Sequence, residues 1–398
     1  MHKRAYLIII SGFLTLSIVY AIRYAYGMLL PDMLAEWRIS KVKAGSLFSV
    51  YFVVYTCCAP VLGALSDLLN YRLLISAFCA LMSIGALMMG FTNNFVQAYI
   101  LFAIVGLGAA ACYAPMAALV LKWVSSNRRG TALSFVTMGV GVGVTFWALL
   151  LPAIVSASHW KIGWISLGGV GLGIALLNLI LIRNPLEAPE ERGKMVTTLQ
   201  SFYKSYHIIL FDKIFWVIGI SYLLMGFNVL IPFGFLPIYA REELSLSFAV
   251  STRLIAMIAF FSIFGQLILG TLSDKLGRIN VMMTCGLIMG AACLLMLLSP
   301  SAWMLHLAAA SYGFGYGAVW PVYAACASDF FPRTNTGGVV GLWTLFLGIG
   351  SIFSPVICGW SIDQTQGYTW VFLFGTLSGV LATVSLLMIR RSRRGDAG

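Results

Sequence analysis

The chain's 398 residues are 60% hydrophobic and only 10% charged, a balance that excludes a water-soluble globular domain and points to a membrane-embedded one. A formal charge of +12 would suit a nucleic-acid binder, but its placement does not: 18 of the 25 Lys and Arg fall in segments on one side of the membrane, near Lys3 and Arg4, Arg72, Lys122 to Arg129, Arg183 to Lys213, Lys275 and Arg278, Arg333, and Arg390 to Arg394. By the positive-inside rule that side is the cytoplasm and holds both termini, so the basicity is a topology signal and no nucleic-acid partner is expected.

Twelve apolar runs approach or exceed the roughly 20 residues that cross a bilayer as a helix, at about 6–30, 44–65, 72–91, 95–121, 132–155, 162–182, 214–239, 251–272, 279–299, 302–327, 338–360 and 368–389. None alternates with the period of two of a barrel strand, which predicts an all-α, multi-pass protein of the cell membrane with twelve transmembrane helices. The first run is too long for a cleaved signal and is read as a retained helix. Arg23 stands inside it. A guanidinium is charged at any working pH and costs between about 2.5 and 17 kcal/mol inside a bilayer. At about 1.5 Å per residue it lies roughly 25 Å beyond Tyr6, past the midplane. No other Lys, Arg, Asp or Glu stands well inside an apolar run, so the expected counter-charge is an anion from solution, met in a water-filled cavity. The loop from Asp32 to Lys43 mixes charges and is expected to be solvated.

Tyr51 and Tyr55 share one face of the second helix, a spacing that serves packing or anion binding. The fourth carries Gly106-Leu107-Gly108-Ala109-Ala110-Ala111, a small-residue surface for close helix approach. In the fifth, Gly139-x-Gly141-x-Gly143 lies inside an apolar run with no strand before it, which predicts helix packing rather than a nucleotide loop. A polar stretch over 183–213 separates an N-terminal bundle, 1–182, from a C-terminal one, 214–398; Met195 to Phe211 within it reads as a surface amphipathic helix or as linker. Helix seven holds Asn228, Pro232, Gly234 and Pro237 and is expected to be bent or broken, with Asn228 facing the cavity or bridging helices. Gln266 and His306 are lone polar groups, and helix ten mixes Gly313, Gly315 and Gly317 with Tyr316 and Trp320. The eight cysteines lie in apolar helices without paired spacing, and neither a Ser/His/Asp cluster nor a His/Glu metal spacing occurs, so no metal, cofactor or enzymatic activity is expected.

The halves repeat. Gly63-Ala64-Leu65-Ser66-Asp67 ending in Arg72 and Gly270-Thr271-Leu272-Ser273-Asp274-Lys275-Leu276-Gly277-Arg278 stand 207 positions apart, and Pro115 with Pro321 and Pro31 with Pro237 repeat at 206. Two six-helix units with a substrate site between them are an arrangement of secondary transporters. Over nearly its whole length the chain resembles the major facilitator superfamily, whose loop motif is kept at Gly270 to Arg278 and altered at Asn70 and Tyr71. The resemblance implies two pseudo-symmetric six-helix bundles and a cytoplasmic gate drawn from Asp67, Arg72, Arg129, Asp274, Lys275, Arg278, Asp329 and Arg333. Within the family it is most similar to the sugar-phosphate permease and organic-anion branch, through Tyr20, Arg23 and Pro31, Tyr55 before Asp67, Lys122-Trp123 to Gly130, and Pro321-Val322 to Arg333. That branch implies that Arg23, Tyr20 and Tyr55 grip the substrate anion. Its phosphate-handling members add a lysine, a histidine and an arginine where this chain has Ala59, Val140 and Val229. A phosphate ester carries about two negative charges, and one guanidinium makes one fork suited to one carboxylate. The expected cargo is therefore a small organic monoanion, a monocarboxylate, with its apolar part against Tyr26, Tyr113, Phe227 and Trp320. The expected protein is a monomeric symporter or antiporter with protons as one coupling ion among the alternatives. The other functional class is an efflux carrier for amphipathic drugs, against which stand Phe102 in place of an exporter's arginine and the lack of Gly-Pro-x-x-Gly-Gly in helix five.

Overall fold

The computed structural model describes residues 3–66, 69–125, 128–184, 210–299, 301–331 and 336–395. Among these the chain forms α1 (Lys3–Trp37), α2 (Lys41–Leu65), α3 (Tyr71–Met89), α4 (Phe95–Ala110), α5 (Tyr113–Trp123), α6 (Arg129–Ser156), α7 (Trp160–Leu181), α8 (Lys213–Glu242), α9 (Phe248–Leu276), α10 (Arg278–Leu297), α11 (Ala302–Phe330), α12 (Thr336–Thr365) and α13 (Thr369–Gly395). Polar caps fix where many of them begin. Ser40, Asn70, Asn94, Ser247 and Ser301 each accept a hydrogen bond from the backbone N–H three residues on, which supplies a donor of the first turn with its acceptor. Eleven of the spans are apolar and long enough to cross a membrane. At 29 residues α11 is also long enough, although its Gly, Tyr, Trp and His lower its hydropathy. Counting α4 and α5 as one crossing gives twelve, which returns both chain ends to one face, here the terminal face; the other is the distal face.

The fourth crossing is broken where the sequence predicts one helix. Pro115 has no N–H to give the carbonyl of Ala111, and its ring crowds that same carbonyl, so the helix stops at Ala110 and restarts at Tyr113. The seventh crossing differs in the opposite sense: α8 runs unbroken through Pro232 and Pro237. Pro232 orphans the carbonyl of Asn228, and the Tyr312 hydroxyl lies 3.1 Å from that oxygen and 2.9 Å from Asn228 Oδ1, so a neighbouring helix replaces the lost bond. Asn228 Nδ2 in turn donates to Gly375 O at 2.5 Å and to Ser378 Oγ at 3.0 Å, joining α8, α11 and α13. Asn228→Ala is expected to lower thermal stability in detergent by about 1–2 kcal/mol, read as a drop in unfolding midpoint, while the preference among anions stays unchanged.

Each half packs by one scheme. The pairings α1 with α6, α3 with α7, α2 with α4, α3 with α4 and α1 with α7 recur as α8 with α12, α10 with α13, α9 with α11, α10 with α11 and α8 with α13. The glycine contacts repeat at the sequence offset too. A side chain at Gly106 would abut Tyr51 O and one at Gly313 would abut Ile258 O; Gly143 against Ser17 O is matched by Gly350 against Leu223 O. Gly139 and Gly143 pack on α1, while Gly141 faces α9 across the halves, which gives the predicted glycine run its packing role. The loop motif also folds as its residues dictate. Gly277 has φ +88°, a conformation that favours glycine, at the sharp corner between α9 and α10. In the first half Asn70 holds that place at φ −72° and caps α3 instead.

The halves meet through α1 with α8, α2 with α12, and α6 with α9. Their polar contacts and close approaches run from the distal ends down to Gly348 against Thr56 and to Gln266 Nε2, which donates to Thr137 Oγ1 at 2.8 Å. Toward the terminal face the extensive contacts of α5 and α11 stay within their own halves. The molecule is closed distally and open toward the terminal face. The segment from Asp32 to Lys43 is not the solvated loop expected: α1 continues to Trp37, and Asp32 and Lys41 are drawn into ion pairs with α8. Residues 185–209, and with them most of the connector over 183–213 and of Met195 to Phe211, lie outside the described residues, as do Asp67 and Arg333.

Candidate functional site

Arg23 sits at the junction of the halves with 3% of its surface exposed. Its guanidinium carbon lies 4.3 Å from the ring centroid of Tyr20, 4.7 Å from Tyr55, 5.1 Å from Tyr51 and 5.5 Å from Phe52. Four aromatic rings, three of them electron-rich phenols, replace part of the hydration that a buried cation loses. Arg23 Nε donates to the Tyr51 hydroxyl at 2.7 Å, which fixes the direction of the fork. Among the described residues Arg23 has no carboxylate partner, its Nη groups make no hydrogen bond, and neither Nη is sealed from solvent. The charge neither reaches the interface by snorkelling nor is neutralised from within.

Hydrogen bonding separates the tyrosines that face the cavity from those that pack. Tyr24 bonds Tyr316 at 3.0 Å, Tyr26 donates to Ala44 O at 2.5 Å, Tyr312 to Asn228, and Tyr323 pairs with Ser221 at 2.6 Å. By contrast the hydroxyls of Tyr20, Tyr55, Tyr113 and Tyr222 have no partner among the described residues and are not sealed off. The latter group lies within mutual electrostatic reach. Tyr113 keeps 38% of its surface exposed. Trp320, half-buried, stands edge-on to Tyr222 at 6.0 Å and to Tyr316 at 6.3 Å, and Phe227 is likewise half-buried. The result is a central cluster of one guanidinium fork and four phenols without a hydrogen-bond partner among the described residues, flanked by Tyr24, which stacks on Phe233 at 3.8 Å and bonds Tyr316.

Of the residues the sequence singles out, Arg23, Tyr20, Tyr55, Tyr113 and, through Tyr222, Trp320 come together here, while Phe227 is half-buried on α8. Two do not. Tyr26 turns into the first half, against Phe48 and Phe102, with its hydroxyl held by Ala44 O. Asn228 is fully buried in the α8–α11–α13 junction with its amide saturated. Tyr51 and Tyr222 are the additions: the four-residue step from Tyr55 pointed to Tyr51, whereas nothing in the local sequence marks Tyr222. Phe102 packs among Tyr26, Phe48, Tyr51 and Trp164, so the place where an exporter carries arginine is hydrophobic core. His306 is satisfied within its own helix, its Nδ1 2.6 Å from Ala302 O.

On the terminal face Arg278 links three elements: Nη2 meets Asp274 at 2.6 Å, Nε lies 3.6 Å from Asp329, and Nη1 donates to Ser273 Oγ at 2.6 Å. All lie in the second half. Arg129 Nε donates to Val124 O at 3.3 Å, and the backbone N–H of Arg72 donates to Asn184 Oδ1 at 3.3 Å. Lys275 is exposed and makes no ion pair among the described residues. Among the expected gate residues that are described, no contact crosses between halves, as an open terminal face requires. A cavity of about 300 Å³ between α6, α9 and α11 opens beside this cluster and is separate from the Arg23 chamber.

Two repeated six-helix bundles that meet around a buried polar cluster, joined by charge pairs at the distal end, are the build of a secondary transporter. The chain belongs to the Major Facilitator Superfamily, whose family model matches residues 12–280 and 253–398, and it is a membrane transporter rather than an enzyme. Among curated relatives it is 26% identical over 375 residues to monocarboxylate transporter 12-B of Danio rerio, covering 85% of this chain and 78% of that protein. It is also 26% identical over 330 residues to the MFS transporter asaE of Aspergillus flavus, covering 81% and 71%. A solved bacterial homologue of the human lysosomal transporter Spinster, inward-facing and unoccupied, superposes with a TM-score of 0.74 at 16% identity over 98% of this chain and 96% of that one. It supports the fold alone.

Proposed function

We propose that this transporter carries small organic monoanions, monocarboxylates in particular, across the cell membrane by alternating access, as a monomer with its terminal face in the cytoplasm. The observation that carries the reading is the Arg23 fork: its Nε is anchored to Tyr51, its Nη groups are open to the chamber, and no described carboxylate pairs with it. A single guanidinium presents two parallel N–H donors that match one carboxylate. The free hydroxyls of Tyr20 and Tyr55 supply further donors beside it, and Tyr113, Tyr222, Phe227 and Trp320 offer apolar surface for the organic part.

Charge count sets the limit on cargo. A phosphate ester would leave about one negative charge unbalanced in a chamber of low dielectric. The places where phosphate-handling members of the resembling branch carry added cations are Ala59, Val140 and Val229 here, and Val229 is buried core. The name of the Danio rerio relative fits the same cargo. Protons are one coupling ion among the alternatives, beside substrate exchange and facilitated diffusion, since among the described residues no acid pairs with Arg23.

Counterflow in proteoliposomes tests this directly. Labelled monocarboxylates are expected to exchange, and dicarboxylates and phosphate esters to exchange at least about tenfold more slowly, the cost of roughly 1.4 kcal/mol of unpaired charge. Equal exchange of phosphate esters, or none of any monocarboxylate, would overturn the assignment.

A further inference from the structure

The two halves bring different chemistry to their junction. The first supplies the Arg23 fork with the phenols of Tyr20 and Tyr55, whose ring centroids lie 4.3 and 4.7 Å from the guanidinium carbon. The second supplies rings: Tyr222 of α8 stands edge-on to Trp320 of α11 at 6.0 Å and stacks on Tyr323 at 4.4 Å. The Tyr24–Tyr316 bond, 3.0 Å long, sets these groups opposite each other. Tyr20 is one turn from Tyr24 on α1, with ring centroids 6.2 Å apart, and Trp320 is one turn from Tyr316 on α11, at 6.3 Å. α1 leaves the terminal face and α11 ends on it, where Asp329 meets Arg278, so both turns lead the same way. Tyr20 with Arg23, and Trp320 with Tyr222, therefore occupy opposite sides of one layer on the terminal side of that bond.

Their hydroxyls fall into two classes. Tyr323 pairs with Ser221 at 2.6 Å, and Tyr51 accepts from Arg23 Nε at 2.7 Å. Tyr222 stacks on Tyr323 and is only 5% exposed, yet its own hydroxyl has no partner among the described residues and is not sealed from solvent. The hydroxyl of Tyr113, at the start of α5, is likewise without a partner there, and it lies within electrostatic reach of Tyr222. A buried phenol normally finds a partner, because a bare one forfeits a hydrogen bond.

Arg23 acts on the nearer phenols, Tyr20, Tyr51 and Tyr55. The groups acting most strongly on Tyr113 and Tyr222 are other phenols, so this end of the cluster is uncharged. A phenol both donates and accepts, which matches a hydroxyl or a carbonyl oxygen. A second carboxylate would meet no cation there.

We propose that the cargo carries an uncharged polar group away from its carboxylate and that Tyr113 and Tyr222 recognise it, so that the site selects hydroxyl- or oxo-substituted monocarboxylates over hydrocarbon acids of the same shape. The inference rests on the monocarboxylate reading, because it seats the carboxylate at Arg23. A bare hydrocarbon end displaces water from both phenols and returns no hydrogen bond, whereas a hydroxyl at that place restores one. Sites built to hydrogen-bond a substrate hydroxyl reject the analogue lacking it more strongly than apolar pockets reject a missing methylene. Trp320 and the Tyr222 ring hold the carbon frame, and the two hydroxyls set the preference.

Calorimetric titration of the full-length protein in lipid nanodiscs with matched acids tests this: phenylpropanoate against para-hydroxyphenylpropanoate, and hexanoate against omega-hydroxyhexanoate. In at least one pair the hydroxylated acid is expected to bind about tenfold more tightly, the effect of one buried hydrogen bond. Tyr222→Phe and Tyr113→Phe each remove an oxygen that has no partner among the described residues. Each is expected to cut that ratio to about threefold, and the double variant to about one. A ratio near one in both pairs with the natural protein, or a tenfold ratio kept by the double variant, would overturn the inference, and the first of these outcomes needs no variant to fold. Binding of neither acid in either pair would sink the monocarboxylate reading together with the inference. Equal, measurable binding of both members would sink the hydroxyl recognition alone.

Discussion

Arg23→Ala is expected to give a carrier that folds, reaches the membrane and moves no monocarboxylate at concentrations that saturate the natural protein. Truncating one partner of a buried, hydrogen-bonded charge pair costs about 2–5 kcal/mol, and each 1.4 kcal/mol is about tenfold in affinity, so apparent affinity should fall by about 30-fold to several thousand-fold. Stability should move the other way or not at all. The empty chamber holds a guanidinium without a counter-ion, and removing an uncompensated charge relieves a folding cost. The combination is diagnostic: a structural arginine would lose both uptake and thermal midpoint, whereas a ligand arginine loses only uptake.

Arg23→Lys sharpens the same experiment. A lysine keeps the charge but brings a compact ammonium with no planar fork, and it gives up the Nε bond that Tyr51 now receives. Binding should be intermediate, with discrimination between carboxylates and other monoanions reduced. Counterflow with parallel thermal unfolding measures both quantities. Full uptake by Arg23→Ala would remove Arg23 from the site.

Much of the architecture was legible because the membrane writes it in one dimension. Apolar run length gave the crossings, and the offset between Gly63 to Arg72 and Gly270 to Arg278 gave the two-fold repeat that recurs in the packing of Gly106 on Tyr51 and Gly313 on Ile258. A lone arginine in an apolar run was equally plain, since nothing else in the bilayer tolerates it without a purpose. Rotation about the helix axis was harder to read. Tyr20 and Tyr26 flank Arg23 by three residues on either side and stand on the same broad face of α1, yet only Tyr20 lies over the guanidinium, while Tyr26 is turned toward Phe48 and Phe102. Which flank meets the chamber depends on where α2 and α4 pack, and the local sequence does not carry that.

Asn228 illustrates a second limit: an amide in an apolar helix is satisfied equally by a cavity or by a neighbouring helix, and Gly375, Ser378 and Tyr312 are distant in sequence. Tyr222 reaches the chamber through its stack on Tyr323 and its edge contact with Trp320, both more than 90 positions away. The distal charge cluster was hidden for the same reason. Asp32, Lys41, Arg241, Glu242 and Asp363 look like unrelated loop charges until four helix ends bring them together.

The other large effect concerns how the distal face closes, and it turns on the absence of a side chain. Pro237 leaves the carbonyl of Phe233 without its helical donor, and Gly27 of α1 lies directly against that oxygen; a Cβ at Gly27 would overlap it. Gly45 against Pro355 O and Gly359 against Lys41 O make the same kind of approach between α2 and α12. All three are contacts between halves, so they exist only while the distal face is shut. Gly27→Val should therefore spare each bundle and penalise one conformation. Moving a two-state equilibrium from 1:99 to 99:1 takes about 5.5 kcal/mol, and a branched side chain driven into a backbone oxygen exceeds that unless the helices separate. The variant is expected to fold, to be stabilised by added monocarboxylate in thermal unfolding, and to lose counterflow by at least about 100-fold, with faster hydrogen exchange in α8 around Phe233. Gly173→Val, where nothing lies within 4 Å of the added Cβ, should transport normally. Gly143→Val, whose Cβ would strike Ser17 O inside one bundle, should fail to fold. If Gly27→Val transports normally, the closed distal face does not need these helices at contact distance; if it fails to fold, the α1–α8 approach is part of the permanent scaffold and the moving boundary between the halves lies elsewhere.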